Sequence, residues 1–320
     1  MADYKLMIRN GTKVYEPIVK EGITWETARK GTPGRLEFEV VKDENINFQE
    51  GNLVTFTMKD KNVFYGYVFT KKRDKDQIIK VTAYDQLRYL KNKDTYNYEN
   101  KTAGDLVRML AKDFKLITGS IANTGYVIAS RIEDNKTLFD MIQNSLDLTL
   151  QNKGEMYVLY DDFGKITLKD MESMRLNTLI NEQTAENYDY TSSIDSDTYN
   201  KIKLAYDNEK TGKRDIYIVE DSSKMAAWGV LQYYEKINEK TNGKAKADAL
   251  ISLYNKKRRS LSVSNAIGDI RVRGGSLLPV NLLVGDIEVK NYMIVESVKH
   301  TFNGSEHAMD LNLIGGEFIA

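Results

Sequence analysis

The chain has 320 residues, with 46 basic and 46 acidic side chains, two histidines and no cysteine. At roughly 100 to 200 residues per domain, the length allows about two domains. The balanced charge excludes a whole-molecule field toward nucleic acid, an anionic membrane or an acidic substrate, and the missing cysteine excludes disulfides, thiolate catalysis and cysteine-built zinc sites.

The start, MADYKLMIRNGTK, alternates polar and apolar residues and has no leader-like apolar run. No stretch approaches the ~18 apolar residues of a spanning helix, so the expectation is a soluble chain made in the cytoplasm. YKLMIRNGTKVYEPIV then reads as a hairpin around Asn10-Gly11. GRLEFEVVKD sets Leu36, Phe38 and Val40 on one strand face and Arg35, Glu37 and Glu39 on the other. Three further strands follow, turning near Lys61 and Asp74. Five or six antiparallel strands in so short a span suggest a small barrel or sandwich.

From Tyr84 the pattern becomes helical. YDQLRYLKN suggests a short helix; TAGDLVRMLAKDF and TLFDMIQNSL carry apolar stripes at helical spacing. Each opens with Thr followed three residues later by Asp, Thr102 with Asp105 and Thr137 with Asp140, which predicts side-chain caps. MYVLYDDFGKITL reads as a hairpin around Asp162–Gly164, closing a small α+β unit. KIKLAYD and DIYIVED return to strand. Residues 222 to 259 read as a helical pair joined at Thr241-Asn242-Gly243, and the remainder is strand again.

Both histidines fall in SVKHTFNGSEHAMDLNLI, residues 297 to 314. With Asn303-Gly304 as a two-residue turn, His300 lies opposite His307 on a face shared with Val298, Phe302, Met309 and Leu311. A metal needs about three or four ligands, and the one same-face carboxylate in view is Glu296. The reading is therefore a pair of hydrogen-bonded histidines in a packed hairpin, with no metal and no cofactor. Adjacent Asp161 and Asp162 on a turn point to opposite faces and do not make a glycosidase pair; a solvated turn is the expectation. No HExxH, GxSxG or Walker motif is present. RKGTPGRL lacks the Lys-Ser/Thr of a phosphate loop, and KKRR, Lys256–Arg259, reads as the end of a helix. Tyr233, Tyr234 and Tyr254 read as core or interface anchors of the helical pair.

Internally, GNLVTF, FYGYVFTKKR and IIKVTAYD are matched in order by GSLLPV, NYMIVESVKH and HAMDLNLI, a pattern that suggests a duplicated β module. The blocks ITWETARKGTPGRLEFEVVKD, FQEGNLVTFTMKDKNVFYGYVF, VTAYDQLRYLKNKDTY, DNKTLFDMIQ and VESVKHTFNGSEHAMDLNLI together resemble XkdQ/YqbQ-type hub proteins of contractile-tail prophages and phage-tail-like bacteriocins. The resemblance implies a mainly β fold with α+β insertions and two duplicated tube-like barrel modules. Its expected divisions are a first module over 1–92, an α+β insertion over 93–175, a return segment and start of the second module over 176–221, a helical-pair insertion over 222–259 and the rest of the second module over 260–320. It further implies a homotrimer whose six barrels form a pseudo-sixfold ring between the sixfold tail tube protein and the threefold central spike protein. Other baseplate proteins and the tape-measure protein are further expected partners, with the chain assembled into a baseplate and no stable membrane insertion. Gly51, Gly66, Gly275 and Tyr292 in the tube-like stretches, with His300 and His307, are the expected structural or interface residues. The family carries no catalytic residues to transfer, so a non-enzyme is expected; a peptidoglycan hydrolase and a glycan- or receptor-binding tail protein are the competing readings.

Overall fold

The structure, a computed structural model, describes residues 4–315 apart from 196, 209–211, 238, 240, 285 and 286. Seven strands come first: β1 (Tyr4–Asn10), β2 (Lys13–Tyr15), β3 (Ile23–Ala28), β4 (Arg35–Val41), β5 (Leu53–Met58), β6 (Lys61–Arg73) and β7 (Ile78–Tyr84). Their two-residue alternation works as expected. Leu36, Phe38 and Val40 are buried together with Ile8, Trp25, Val54, Phe56 and Val81 in one cluster, each large side chain contributing about 1.5 to 3 kcal/mol through burial.

A short 3₁₀ helix, Gln86–Lys91, then leads into β8 (Lys93–Lys101), α1 (Ala103–Asp113), β9 (Thr118–Ile121), β10 (Ile128–Thr137), α2 (Leu138–Lys153), β11 (Tyr157–Asp161) and β12 (Ile166–Asp170). Both predicted caps form. The Thr102 hydroxyl accepts from the Asp105 amide while the Asp105 carboxylate accepts from the Thr102 amide, and Thr137 and Asp140 do the same. Each such cap is worth about 1 kcal/mol. Strands β8 and β10 pair antiparallel but carry no readable alternation, because their only buried side chains are Tyr98, Ile128 and Glu133.

Past Met174 the chain forms β13 (Ile180–Asn181), β14 (Asn187–Ser193), β15 (Lys201–Asn208), β16 (Lys213–Glu220), α3 (Ser222–Trp228), β17 (Gln232–Lys236), α4 (Gly243–Tyr254), β18 (Arg258–Ile267), β19 (Leu277–Val284), β20 (Ile287–Asn303) and β21 (Glu306–Gly315). The expected helical pair over 222–259 is corrected here. Among the described residues of this span only α3 and α4 are helical; Gly229, at φ +78°, ends α3, and the alternating QYYEK forms β17 parallel to β15. With β16 these strands make a separate three-stranded sheet, so KIKLAYD and DIYIVED do not join the main sheet as expected. Tyr199, Tyr233 and Tyr254 meet edge-on or stacked at 5.4 to 5.9 Å in its core, whereas Tyr234 stays exposed. The KKRR run does not end a helix either: α4 stops at Tyr254, and Arg258 and Arg259 open β18.

The main sheet runs β14-β18-β21-β20-β3-β4-β7-β6-β5-β1-β2, with β19 beside β20 and β13 beside β19. Its 17-residue β20 joins the two halves. The part from Ile287 to Ile294 pairs with β19, and the part from Ser297 to Phe302 pairs antiparallel with β3, in register Ser297↔Ala28 through Phe302↔Ile23. Each half has its own apolar cluster, one built by β1–β7 and one by residues 180 to 313.

Candidate functional site at the splice of the main sheet

The β20–β21 hairpin brings the two histidines together, although not directly opposite. Asn303 pairs with Glu306, so Gly304 and Ser305 form the turn, Phe302 faces His307, and His300 faces Met309. The expected His300–His307 pairing is thus corrected by one position on each strand. The cause is turn chemistry: Gly304, at φ +58°, takes the first central position, where a II′-type turn places its glycine. Parity is unchanged, and the predicted face of Val298, Phe302, Met309 and Leu311 is buried.

On that face His300 is fully buried. One ring nitrogen, Nε2, lies 2.9 Å from the Val272 carbonyl oxygen and the other, Nδ1, 2.9 Å from His307 Nε2. A carbonyl only accepts, so His300 carries its proton on Nε2, and its Nδ1 accepts from His307 Nε2–H. The pair works only when neutral. Burial, then the neighbouring His307, pushes His300 down to about 3, and burial pushes His307 down to about 4. His300 also stacks on Trp25 of β3 at 4.7 Å, and Phe302 stacks on His307 at 4.4 Å. Among the described residues, no group of three His, Cys, Asp or Glu side chains could hold a metal ion.

The loop held by His300 carries a buried charge cluster that the sequence did not disclose. Arg273 lies 4.5 Å over the Tyr160 ring and 5.7 Å over that of Trp25, and its Nη1 donates to the Asp161 carbonyl at 2.9 Å. Asp161 is itself buried and accepts from the Gly164 amide at 2.6 Å, while its Oδ2 has no partner. The expectation of a solvated Asp161–Asp162 turn therefore holds for Asp162 alone, which is exposed. Asp85 is also buried, accepting from the amides of Gly34 at 2.8 Å and Leu87 at 3.0 Å. Burial, helped by nearby Asp161, holds the Asp85 carboxyl well above the usual range, and burial raises Asp161 to about 6. A cavity of about 20 Å³ lies among these groups, room for a single water and not for a substrate. Three parts of the chain meet here: Asp85 and Trp25 from the first strands, Asp161 and Tyr160 from the α+β unit, and Arg273 from the second half. Asp85 could have been read as the cap of the following turn; nothing local marks Arg273.

Backbone also meets backbone at this junction. A Cβ on Gly274 would lie 2.2 Å from the carbonyl carbon of Ala28, and the Gly274 amide donates to Thr27 Oγ1 at 2.9 Å. Next to it is Gly275, one of the predicted structural residues, at φ +93°. Its amide donates to the Val295 carbonyl at 2.7 Å, and the Val295 amide donates back to Ser276 at 2.8 Å. Gly51, at φ +84°, makes the same exchange with Val68: Gly51 donates at 2.8 Å and Asn52 accepts at 2.9 Å. In both places the next residue is a bulge, Glu296 in β20 and Phe69 in β6. Glu296 is held by Arg29 Nε at 2.7 Å. Gly66 lies in β6 opposite Val54, where a Cβ would meet the Tyr84 carbonyl oxygen at 2.3 Å. Tyr292, in β20, lies under the Arg175 guanidinium at 4.2 Å. The structure thus gathers His300 and His307 at the splice, while Gly51 and Gly66 lie within the first half and Tyr292 lies toward the α+β unit.

The chain matches two proteins of Bacillus subtilis, one of them named for a phage-like element. It is 32% identical to the uncharacterized protein YqbQ of Bacillus subtilis (strain 168), over 93% of this chain and 92% of that protein. It is 31% identical to the phage-like element PBSX protein XkdQ of the same strain, over 93% of each. In fold it is similar to the prophage MuSo2 43 kDa tail protein from Shewanella oneidensis, with a TM-score of 0.70 at 13% identity, covering 99% of this chain and 100% of that one. It is also similar to the E. coli c3393 protein, described as a type VI secretion component resembling T4 tail proteins gp27 and gp5, with a TM-score of 0.56 at 11% identity over 98% of this chain and 78% of that one. A family model described as YQBQ-like matches residues 23–314. The chain belongs to the YQBQ-like family.

Proposed function

We propose that this chain is the structural hub of a contractile-tail baseplate, three copies of which close a pseudo-sixfold ring that adapts the tail tube above to the central spike below. One observation carries the reading: six strands in each half of the main sheet lie side by side in the same order. With the short edge strand β2 left out, the second, third, sixth, fifth, fourth and first strands in chain order lie side by side in each half, as β3-β4-β7-β6-β5-β1 and as β14-β18-β21-β20-β19-β13. The glycine–valine exchange and the bulge recur at equivalent points, as they would in a duplicated module. Two differences remain: β2, beside β1, has no counterpart in the second half, and β1 pairs antiparallel with β5 whereas β13 pairs parallel with β19.

Two modules per chain and three chains give six positions, which is how a threefold component meets a sixfold one. The type VI and T4 likeness of the c3393 protein supports the spike as the lower partner. In this reading the α+β unit and the 201–254 unit are peripheral and meet neighbouring subunits or other baseplate proteins. The polar face of the spliced sheet lines the channel. Across four strands it carries Asp310, Lys299, Glu26 and Arg35 in one cross-strand row of alternating sign, with Glu26 and Arg35 paired at 2.5 Å, so the channel wall has no net field there.

The chain is a scaffold in this role, not an enzyme. Native mass spectrometry of the purified chain tests it: a species at three times the 36.6 kDa chain mass is expected at micromolar concentration, alone or with the spike protein. A monomer under both conditions would overturn the proposal.

A further inference from the structure

Within one chain, β3 adds to β20 beyond its bulge. The equivalents in the other half are β14 and the part of β6 beyond its own bulge, and among the described residues neither has that partner. Strand β14 pairs only with β18. Thr70–Arg73 of β6 pair on one side with β7, while β5 contacts β6 only from Lys61 to Tyr67. Both edges are exposed, as are Lys71, Lys72 and Arg73. An open edge of this kind offers unpaired amides and carbonyls to another chain.

We infer that β14 of one copy adds antiparallel to Thr70–Arg73 of β6 in a neighbouring copy, repeating between subunits the β3–β20 splice found within the chain. The inference rests on the hub reading and deepens it by naming the surface that closes the ring.

The internal splice fixes the register. Leu36 faces Ala83 and Trp25 in the first half; Leu261 faces Leu313 and Tyr190 in the second. Val68 and Ala83 therefore correspond to Val295 and Leu313. Carried over, Ser297↔Ala28, Val298↔Thr27, Lys299↔Glu26 and His300↔Trp25 become Thr70↔Ser193, Lys71↔Ser192, Lys72↔Thr191 and Arg73↔Tyr190 of the next copy. The side chains agree with this placement. Lys71 corresponds to Val298 on the packed face, and its Nζ donates to the Phe48 carbonyl at 2.6 Å, as His300 on that face donates to the Val272 carbonyl; Phe48 and Val272 each stand four residues before the strand-entry positions Asn52 and Ser276. The covering loop therefore lies over the face and leaves the edge open. Arg73 would meet the Tyr190 ring where His300 meets Trp25, a cation over an aromatic face. Charge also matches: Lys71, Lys72, Arg73 and Lys75 on one side face a segment carrying Glu186, Asp189 and Asp195 on the other.

The absence of native cysteine makes the test clean. A chain bearing Thr191→Cys mixed with one bearing Lys72→Cys should oxidise to a cross-linked pair, and the doubly substituted chain should close into a covalent trimer and nothing larger. An off-register double variant, Thr191→Cys with Lys71→Cys, puts the thiols on opposite faces and should cross-link at least tenfold less. Light scattering is run on the same samples. A trimer that fails to cross-link, or cross-links equally in both registers, overturns this strand addition while leaving the hub reading standing. A monomer at high micromolar concentration, both alone and with the spike protein, overturns both.

Discussion

Phe302→Ala lowers the unfolding free energy by about 3 to 5 kcal/mol and loosens one half of the main sheet from the other. Phe302 belongs by sequence to the terminal hairpin, yet it is fully buried in the apolar cluster of the first seven strands. It meets Phe56 edge-on at 4.9 Å and His307 face-on at 4.4 Å. Truncation leaves a cavity between elements pinned by the β3–β20 ladder, so collapse cannot fill it. Urea denaturation measures the loss. A cost below about 1 kcal/mol would mean that the hairpin tip does not anchor the first half, and limited proteolysis of the 303–306 turn would then be unchanged by the substitution.

Acid weakens the same joint through His300. An unfolded histidine titrates near 6.5, whereas this one is pushed down to about 3. Between those values the unfolded chain binds more protons than the folded one. The contribution is therefore complete above about pH 6.5 and is lost as the pH falls toward 3. By pH 4 the loss from this residue is on the order of 3 kcal/mol. Protonation would also place a second donor against His307 Nε2–H, breaking the relay. Asp161 acts in the opposite sense: raised to about 6, it disfavours folding increasingly as the pH rises from about 4 to 6, so acidification recovers part of what the histidine loses. His300→Gln removes the His300 slope and leaves those of His307 and Asp161. Unfolding free energies at pH 7 and pH 4 should fall by about 3 kcal/mol more for the parent than for the variant; parallel profiles would contradict the buried neutral pair.

What could be read from the letters followed from local rules. The alternation of Leu36, Phe38 and Val40, the Thr102–Asp105 and Thr137–Asp140 caps and the helix stripes depend only on neighbours within a few residues, and each formed. The histidine face was also legible, because parity survives a shift of the turn; the pairing itself was not, because it depended on whether Gly304 took the first or second place in that turn. The 201–254 unit was misread where helix and strand patterns compete: QYYEK has aromatic alternation but sits between two helical runs, and Gly229 decides the matter. Least legible was the splice. Arg273 finds Asp161 and Tyr160 across more than 100 positions of sequence, and Gly274 meets Ala28 across nearly 250, so no window of local spacing contains either partner. The Gly51 and Gly275 turns were singled out through the family resemblance, and the two share a backbone exchange with Val68 and Val295 that is largely independent of the side chains around it.

Electron microscopy of single particles of the purified chain, alone and with the proposed spike protein, decides between ring and no ring through end-on views. A threefold particle is expected, with six lobes around a channel, two per chain, joined by an alternation of the β3–β20 splice and the β14–β6 contact. End-on views with three lobes, with six lobes unconnected by continuous sheet, or with no ring at all would contradict it.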